Sequence, residues 1–143
     1  MLCQRHSESD SHSDFEESLF SSSHSSGAEK GTSFETTIKE YLWSVGFESA
    51  RRTALSGAND TGDINGISNG STGREVAVQC KNQKKFDLSG WLDDTVEQAK
   101  RLDYAVPLLV VKRPGKGSKS IDETYSVMRL CDLVCLLQEA GYL

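Results

Sequence analysis

The sequence predicts an α/β fold: one domain in which a central mixed sheet is flanked by helices. Three observations carry that expectation: an apolar stripe at helical spacing over residues 34–45, two alternating runs separated by Asn69-Gly70, and a branched aliphatic run over 107–111 between two further helical patterns. Phe34, Ile38, Leu42 and Val45 recur every three or four residues, so a first helix is predicted over 32–45, capped by Thr32 or Ser33 and ended by Gly46. Residues 50–54 form a candidate short strand, and 56–62 are too rich in turn formers to be anything but a loop. Strands are predicted over 62–67 and 74–81, joined by a hairpin at Asn69-Gly70. A second helix follows over 89–103, with Leu92, Val96, Ala99 and Leu102 on one face. After it come a buried strand over 107–112, a basic loop over 113–118, a strand over 125–128, and a last helix carrying Leu133, Val134, Leu136, Leu137 and Ala140, stopped by Gly141. The predicted order is α-β-β-β-α-β-β-α.

At 143 residues the chain has room for one domain. Its first 33 residues are acidic and serine-rich with few large apolar side chains, so they cannot bury enough surface to offset their ordering entropy. A disordered tail over 1–33 and a folded domain over 34–143 are therefore expected. The tail holds −4 of the net charge of −5, which leaves the domain close to neutral. Its bases are clustered: Arg51 and Arg52; Lys81, Lys84 and Lys85; Lys112 and Arg113 with Lys116 and Lys119. Taken singly, each cluster reads as solvated lysine and arginine; together they fit a face that meets a phosphate backbone.

All three histidines fall in the tail and the four cysteines show no Cys-x-x-Cys spacing, which argues against a structural zinc site in the domain. Cys131 and Cys135 lie four apart in an apolar helical pattern and are expected as buried free thiols. The longest apolar run is too short to span a bilayer, and the N-terminus lacks the hydrophobic region of a signal peptide. No membrane partner is expected, and the location expected is the cytoplasm.

Within the strand over 74–81, Val76, Val78 and Cys80 alternate with Ala77, Gln79 and Lys81, so Gln79 and Lys81 emerge on one face while the apolar set turns to the core. The hairpin can bring Asp63 beside Gln79. A carboxylate, an amide oxygen and an ammonium then converge on one point. Hard divalent cations such as Mg²⁺ or Mn²⁺ take oxygen ligands, and Asp63, the Gln79 side-chain oxygen and the Cys80 backbone carbonyl would make a partial shell. A bound cation activates water and stabilises charge on phosphate, and Lys81 can position that water or neutralise the developing charge. Each residue also has a bland reading: Asp63 as a turn residue that opens a strand, Gln79 and Lys81 as an exposed strand face, and Glu35 as an i,i+4 partner of Lys39. Trp91 and Tyr104 read as packing residues, and no aromatic stripe suited to stacking bases is visible.

Gly62-Asp63-Ile64 followed by Val78-Gln79-Cys80-Lys81 resembles the PD-(D/E)XK nuclease signature in the variant where glutamine replaces the second acid. That form is similar to the Mrr-type restriction endonucleases. The upstream residues Glu35, Leu42-Trp43, Gly46-Phe47, Arg51-Arg52 and Ser56-Gly57 resemble the archaeal-type Holliday junction resolvases, and the likeness spans about residues 33 to 112. It implies a restriction-endonuclease-like fold and a metal-dependent DNA endonuclease with catalytic Asp63, Gln79, Lys81 and Glu35, the last supplying a carboxylate to the metal. It further implies Ser56 as a DNA contact near the scissile bond, branched DNA as substrate, a homodimer, and a setting in a prokaryotic cell or a phage-infected host. Gln79 departs from the resolvase pattern by removing one metal-facing charge. The alternatives are an Mrr-like restriction nuclease and a DNA-binding module that kept the fold and lost catalysis.

Overall fold

The computed structural model describes residues 27–54 and 57–143. Helix α1 spans Gly27–Ser44. It begins five residues before the predicted start, because Ala28, Glu29 and Lys30 are good helix formers that carry the turn past Thr32. Its end is the predicted one. Gly46 takes φ 108°, its N–H donates to the Trp43 carbonyl at 3.1 Å, and the Phe47 N–H reaches back to the Leu42 carbonyl at 2.9 Å. These two bonds satisfy carbonyls that the helix leaves open. Most of the acidic tail expected over 1–33 lies outside the described residues; residues 27–33 belong to the backbone of α1.

Strands β1 (Arg51–Arg52), β2 (Ile64–Ser68), β3 (Glu75–Lys81), β4 (Val106–Val111) and β5 (Tyr125–Val127) form one sheet in the order β1-β2-β3-β4-β5. The pairs β1–β2, β2–β3 and β4–β5 are antiparallel, whereas β3 and β4 run parallel. Parallel neighbours need a crossover, which α2 (Leu88–Arg101) provides. Asp87 caps α2 by accepting from the Gly90 N–H at 3.1 Å. Helix α3 (Leu130–Glu139) closes the chain. The mixed central sheet, its flanking helices and the order α-β-β-β-α-β-β-α are as the sequence predicts.

The β2–β3 turn falls over residues 69–74, one residue from the link that the predicted strands leave at 68–73. Asn69 and Arg74 bracket it, with the Asn69 N–H donating to the Arg74 carbonyl at 2.9 Å. The Asn69 side-chain oxygen accepts from the Ser71 and Thr72 N–H groups at 2.7 and 3.2 Å. By capping the backbone ahead of it, Asn69 opens the loop.

Both faces of the sheet are covered. On one, Phe34 and Ile38 of α1 pack against Ala50, Ile64, Val78, Cys80 and Val110. On the other, α2 approaches through small residues, Ala99 against Ala77 and Ala105, with Leu102 beside them. The strand face that carries Gln79 is therefore an interior face, and Gln79 is only 8% exposed. A reading of Gln79 as part of a solvated strand surface is ruled out.

Helix α3 differs most from its sequence pattern. Leu130, Leu133, Val134 and Leu137 are exposed, and the one buried residue of the helix is Asp132, held by Arg129 at 2.7 Å. Cys131, expected to be buried, is exposed, and Cys135 is half-buried. The apolar spacing is real, but within this chain nothing described covers the stripe.

Candidate active site

The candidate site forms where β2 begins and β3 ends. Just before β2, the Asp63 N–H donates to the Val78 carbonyl at 2.7 Å and its own carbonyl accepts from the Thr53 N–H at 3.0 Å. Gly62 runs so close to β3 that a Cβ there would lie 3.0 Å from the Val78 carbonyl oxygen. Past the Ile64–Val78 pair the ladder would next match Cys80 with Gly62, but the Gly62 carbonyl is taken by the Thr53 hydroxyl. The Asp63 carboxylate replaces it: its Oδ2 accepts the Cys80 N–H at 2.8 Å and the Gln79 Nε2 at 2.7 Å. Asp63 is thus the side chain that finishes the sheet at this corner.

Burial pushes the Asp63 carboxyl up to about 6; the nearby Glu35 and Asp60 carboxylates add to the rise, while the Cys80 N–H and the Lys81 ammonium oppose it. The Gln79 Oε1 is buried and has no hydrogen-bond partner among the described residues. Lys81 ends β3 with its Nζ 5.9 Å from the centre of the Trp91 ring. The side chain of Cys80 belongs to the α1-side core, and burial holds its thiol well above the usual range.

Glu35 is ion-paired with Arg52 at 3.1 Å, and Arg52 also reaches the Thr36 hydroxyl at 3.4 Å. The i,i+4 contact with Lys39 is not the one made, for Lys39 lies 4.2 Å over the Trp43 ring. Asp63 and Gln79 are therefore in direct contact, with Lys81 and Glu35 close enough to shift the Asp63 carboxyl. Among the described residues no group of three or more His, Cys, Asp or Glu side chains is placed to share a metal ion. The unpartnered Gln79 Oε1 and the Asp63 carboxylate, whose charge burial disfavours, are oxygen donors of the kind a hard divalent cation takes, although Gln79 meets Asp63 through its Nε2 and not through this oxygen. The residues that would hold one are Asp63 and Gln79.

A strap absent from the sequence pattern holds the loop that carries Asp63. Asp60 Oδ1 accepts from the Gly62 N–H at 2.9 Å, its Oδ2 from Gln98 Nε2 at 2.8 Å, and its carbonyl from Arg101 at 3.0 Å. Asn65 adds a bond to the Thr61 carbonyl at 3.0 Å. The Asp60-Thr61-Gly62 turn is a recognisable aspartate turn. That Gln98 and Arg101 meet it is a tertiary fact with no local signal. Replacing Asp60 with alanine should strand the buried Gln98 amide N–H and cost about 1–3 kcal/mol. Chemical denaturation measures this, and a change under about 0.5 kcal/mol would mean the strap is idle.

The basic clusters fare unequally. Arg51 is exposed, and so are Lys84 and Lys85, which make no ion pair with a described residue. Lys112 is turned inward onto the Lys116 carbonyl at 2.8 Å, and Arg113 and Lys116 both pair with Glu123, at 3.5 and 3.0 Å. Ser56 lies outside the described residues. Tyr104, expected to pack, is 71% exposed, and with Asp103 it takes a left-handed conformation after α2. Among the described residues no helix is long and apolar enough to cross a membrane.

The sequence matches no protein-family model and no curated protein. Among solved structures the chain is similar to Hjc, a Holliday junction resolvase from the archaeal hyperthermophile Archaeoglobus fulgidus. The two are 26% identical over 62% of this chain and 68% of that one, with a TM-score of 0.44.

Proposed function

We propose that the protein is a divalent-metal-dependent DNA endonuclease that cuts branched DNA, four-way junctions foremost. The observation that carries this reading is the Asp63–Gln79 pair: a carboxylate bonded to an amide whose oxygen is buried and unpartnered, with the Lys81 charge near enough to act on the carboxylate. In such a site Mg²⁺ or Mn²⁺ would lower the pKa of water and stabilise charge on the phosphate. Asp63 and Gln79 would hold it, with the Cys80 backbone carbonyl and Glu35 as further oxygen donors. Asp63 gives up its proton above about pH 6, so it is anionic at neutral pH. Lys81 would neutralise the charge that develops on the phosphate. Lys84, Lys85 and Arg51 offer exposed cations to the backbone, while Arg52 is bound to Glu35.

A junction has two symmetry-related strands to cut and this domain offers one site, so a homodimer follows from the reading. The uncovered stripe of Leu130, Leu133, Val134 and Leu137 is where we place its contact, since an uncharged patch is self-complementary across a two-fold axis.

The test is a cleavage assay on four-way junctions, flaps and linear duplex in Mg²⁺ and Mn²⁺. Lys81→Ala should lower the cleavage rate by about 10²–10³-fold while junction binding survives. Equal activity in that variant would sink the site, and preference for linear duplex would sink the junction assignment. The second reading is a DNA-binding module without catalysis. The Glu35–Arg52 pair favours it, because it withholds a carboxylate that a metal would use. Junction binding without cleavage in either metal would select it.

A further inference from the structure

Outside the Asp63–Gln79 pair, three aromatic rings form a row that leads away from Lys81. The Trp91 ring lies 5.9 Å from the Lys81 Nζ, Phe86 follows 6.0 Å from Trp91, and Tyr125 stands edge-on 6.2 Å from Phe86. Arg113 closes the far end with its guanidinium 5.7 Å from the Tyr125 ring. Ring pairs at these separations attract one another, so packing explains why neighbours touch. It does not explain why the row reaches the surface: Phe86 and Trp91 are half-buried and Tyr125 is 41% exposed. Nor does it explain the setting. A cation stands at each end, and the exposed Lys84 and Lys85 occupy the turn just before Phe86. Glu123 balances part of the Arg113 charge, which leaves the two turn lysines as the unpaired ones.

We propose that Trp91, Phe86 and Tyr125 form a stacking subsite for unpaired nucleobases, with Lys84 and Lys85 tracking the phosphates of the same strand. Aromatic rings beside a cationic track are the chemistry by which proteins hold single strands without sequence preference, because every base offers a π-face once it leaves the helix. In duplex DNA those faces are covered, so the row selects DNA whose branch carries unpaired bases. Its end at Lys81 would deliver that strand to the cutting site. The proposal rests on the nuclease reading above and deepens it: beside fully paired four-way junctions it adds, as substrates, branches that carry a single-stranded stretch, such as flaps.

The experiment uses the full chain in chelator, so that binding is read without cleavage, with a short oligothymidylate and a duplex of equal length as probes. Oligothymidylate should quench tryptophan fluorescence, and the quench should vanish in Trp91→Phe and persist in Trp43→Phe. Tyr125→Ala should weaken oligothymidylate binding by about fivefold or more and leave duplex binding within about twofold, while Tyr125→Phe should bind as the parent does. Circular dichroism checks that each variant is folded, and if Tyr125→Ala is not, the Trp91 quench decides. No quench, a quench that survives Trp91→Phe, or equal affinities in Tyr125→Ala and Tyr125→Phe would overturn the subsite. Asp63-dependent junction cleavage alongside any of those results would overturn the subsite alone; absence of DNA binding altogether would overturn the nuclease reading with it.

Discussion

Replacing Asp63 with asparagine should abolish DNA cleavage and, at neutral pH, make the protein more stable. The two effects share one cause. Asp63 carries a charge that burial disfavours, lifting its carboxyl to about 6 from an ordinary 3.8. Between those values the folded protein holds a proton that the unfolded chain has released. Stability therefore falls as pH rises from about 4 to about 6, and the penalty is complete above that window. A shift of this size corresponds to at most about 3 kcal/mol, reduced by the water that reaches the site. Asparagine keeps an oxygen to accept from Cys80 and Gln79 and removes the charge. Wild type and Asp63→Asn should thus have similar thermal midpoints near pH 4, with the variant melting higher near pH 7.5. Cleavage should fall by about 10²–10³-fold or more. Added Mg²⁺ should close the gap by stabilising the wild type alone, since a cation that binds only the folded state raises its midpoint. Equal midpoints at neutral pH would refute the buried charge, and cleavage surviving in the variant would refute its role.

Much of this site is legible in the sequence because it rests on local rules. Alternation along β3 sets Gln79 and Lys81 apart from Val78 and Cys80, and the turn chemistry of Gly62 places Asp63 at the start of a strand. Neither rule tells which face is buried. That depends on α2 crossing over the sheet between two parallel strands, and the crossover turns Gln79 from a surface residue into an interior one. The same crossover delivers Gln98 and Arg101 to Asp60. A glutamine on an amphipathic helix looks like solvent-facing polarity until the helix is docked.

Charge and apolar spacing were weaker guides, for complementary reasons. Adjacent bases mark a phosphate face only if the fold leaves them free, and Arg52, Lys112, Arg113 and Lys116 all find partners in the folded chain. The stripe on α3 has the period of a core helix, yet its leucines stay exposed, because periodicity shows that a face is apolar and not what covers it. The aromatic row was illegible for a third reason. Phe86, Trp91 and Tyr125 come from a turn, a helix and a distant strand, so no stripe appears along the chain.

Gly66→Ala should be the most damaging single-methyl change in the described structure. Gly66 lies in β2 where the register against β3 shifts between Ile64 and Ile67, an irregularity that re-aims the strand. It takes φ 93°, and a Cβ there would fall 2.1 Å from the Ser49 carbonyl oxygen and 2.7 Å from the Arg51 guanidinium. The guanidinium can swing away; the carbonyl belongs to the backbone leading into β1 and cannot. Backbone strain at such a φ costs on the order of 1–3 kcal/mol, and the overlap adds about as much again. The midpoint should drop by on the order of 10 °C or more. Two other glycines separate the terms. Gly73 takes φ 75° in open space, so Gly73→Ala should show the strain alone, and Gly70, open and outside the left-handed region, should tolerate alanine to within about 0.5 kcal/mol. The expected ranking of losses is Gly66, then Gly73, then Gly70. If Gly66→Ala melts no lower than Gly73→Ala, then β1 is not pressed against β2 as described. In that case the corner that carries Arg52 to Glu35 and Asp63 to β3 would have to be redrawn.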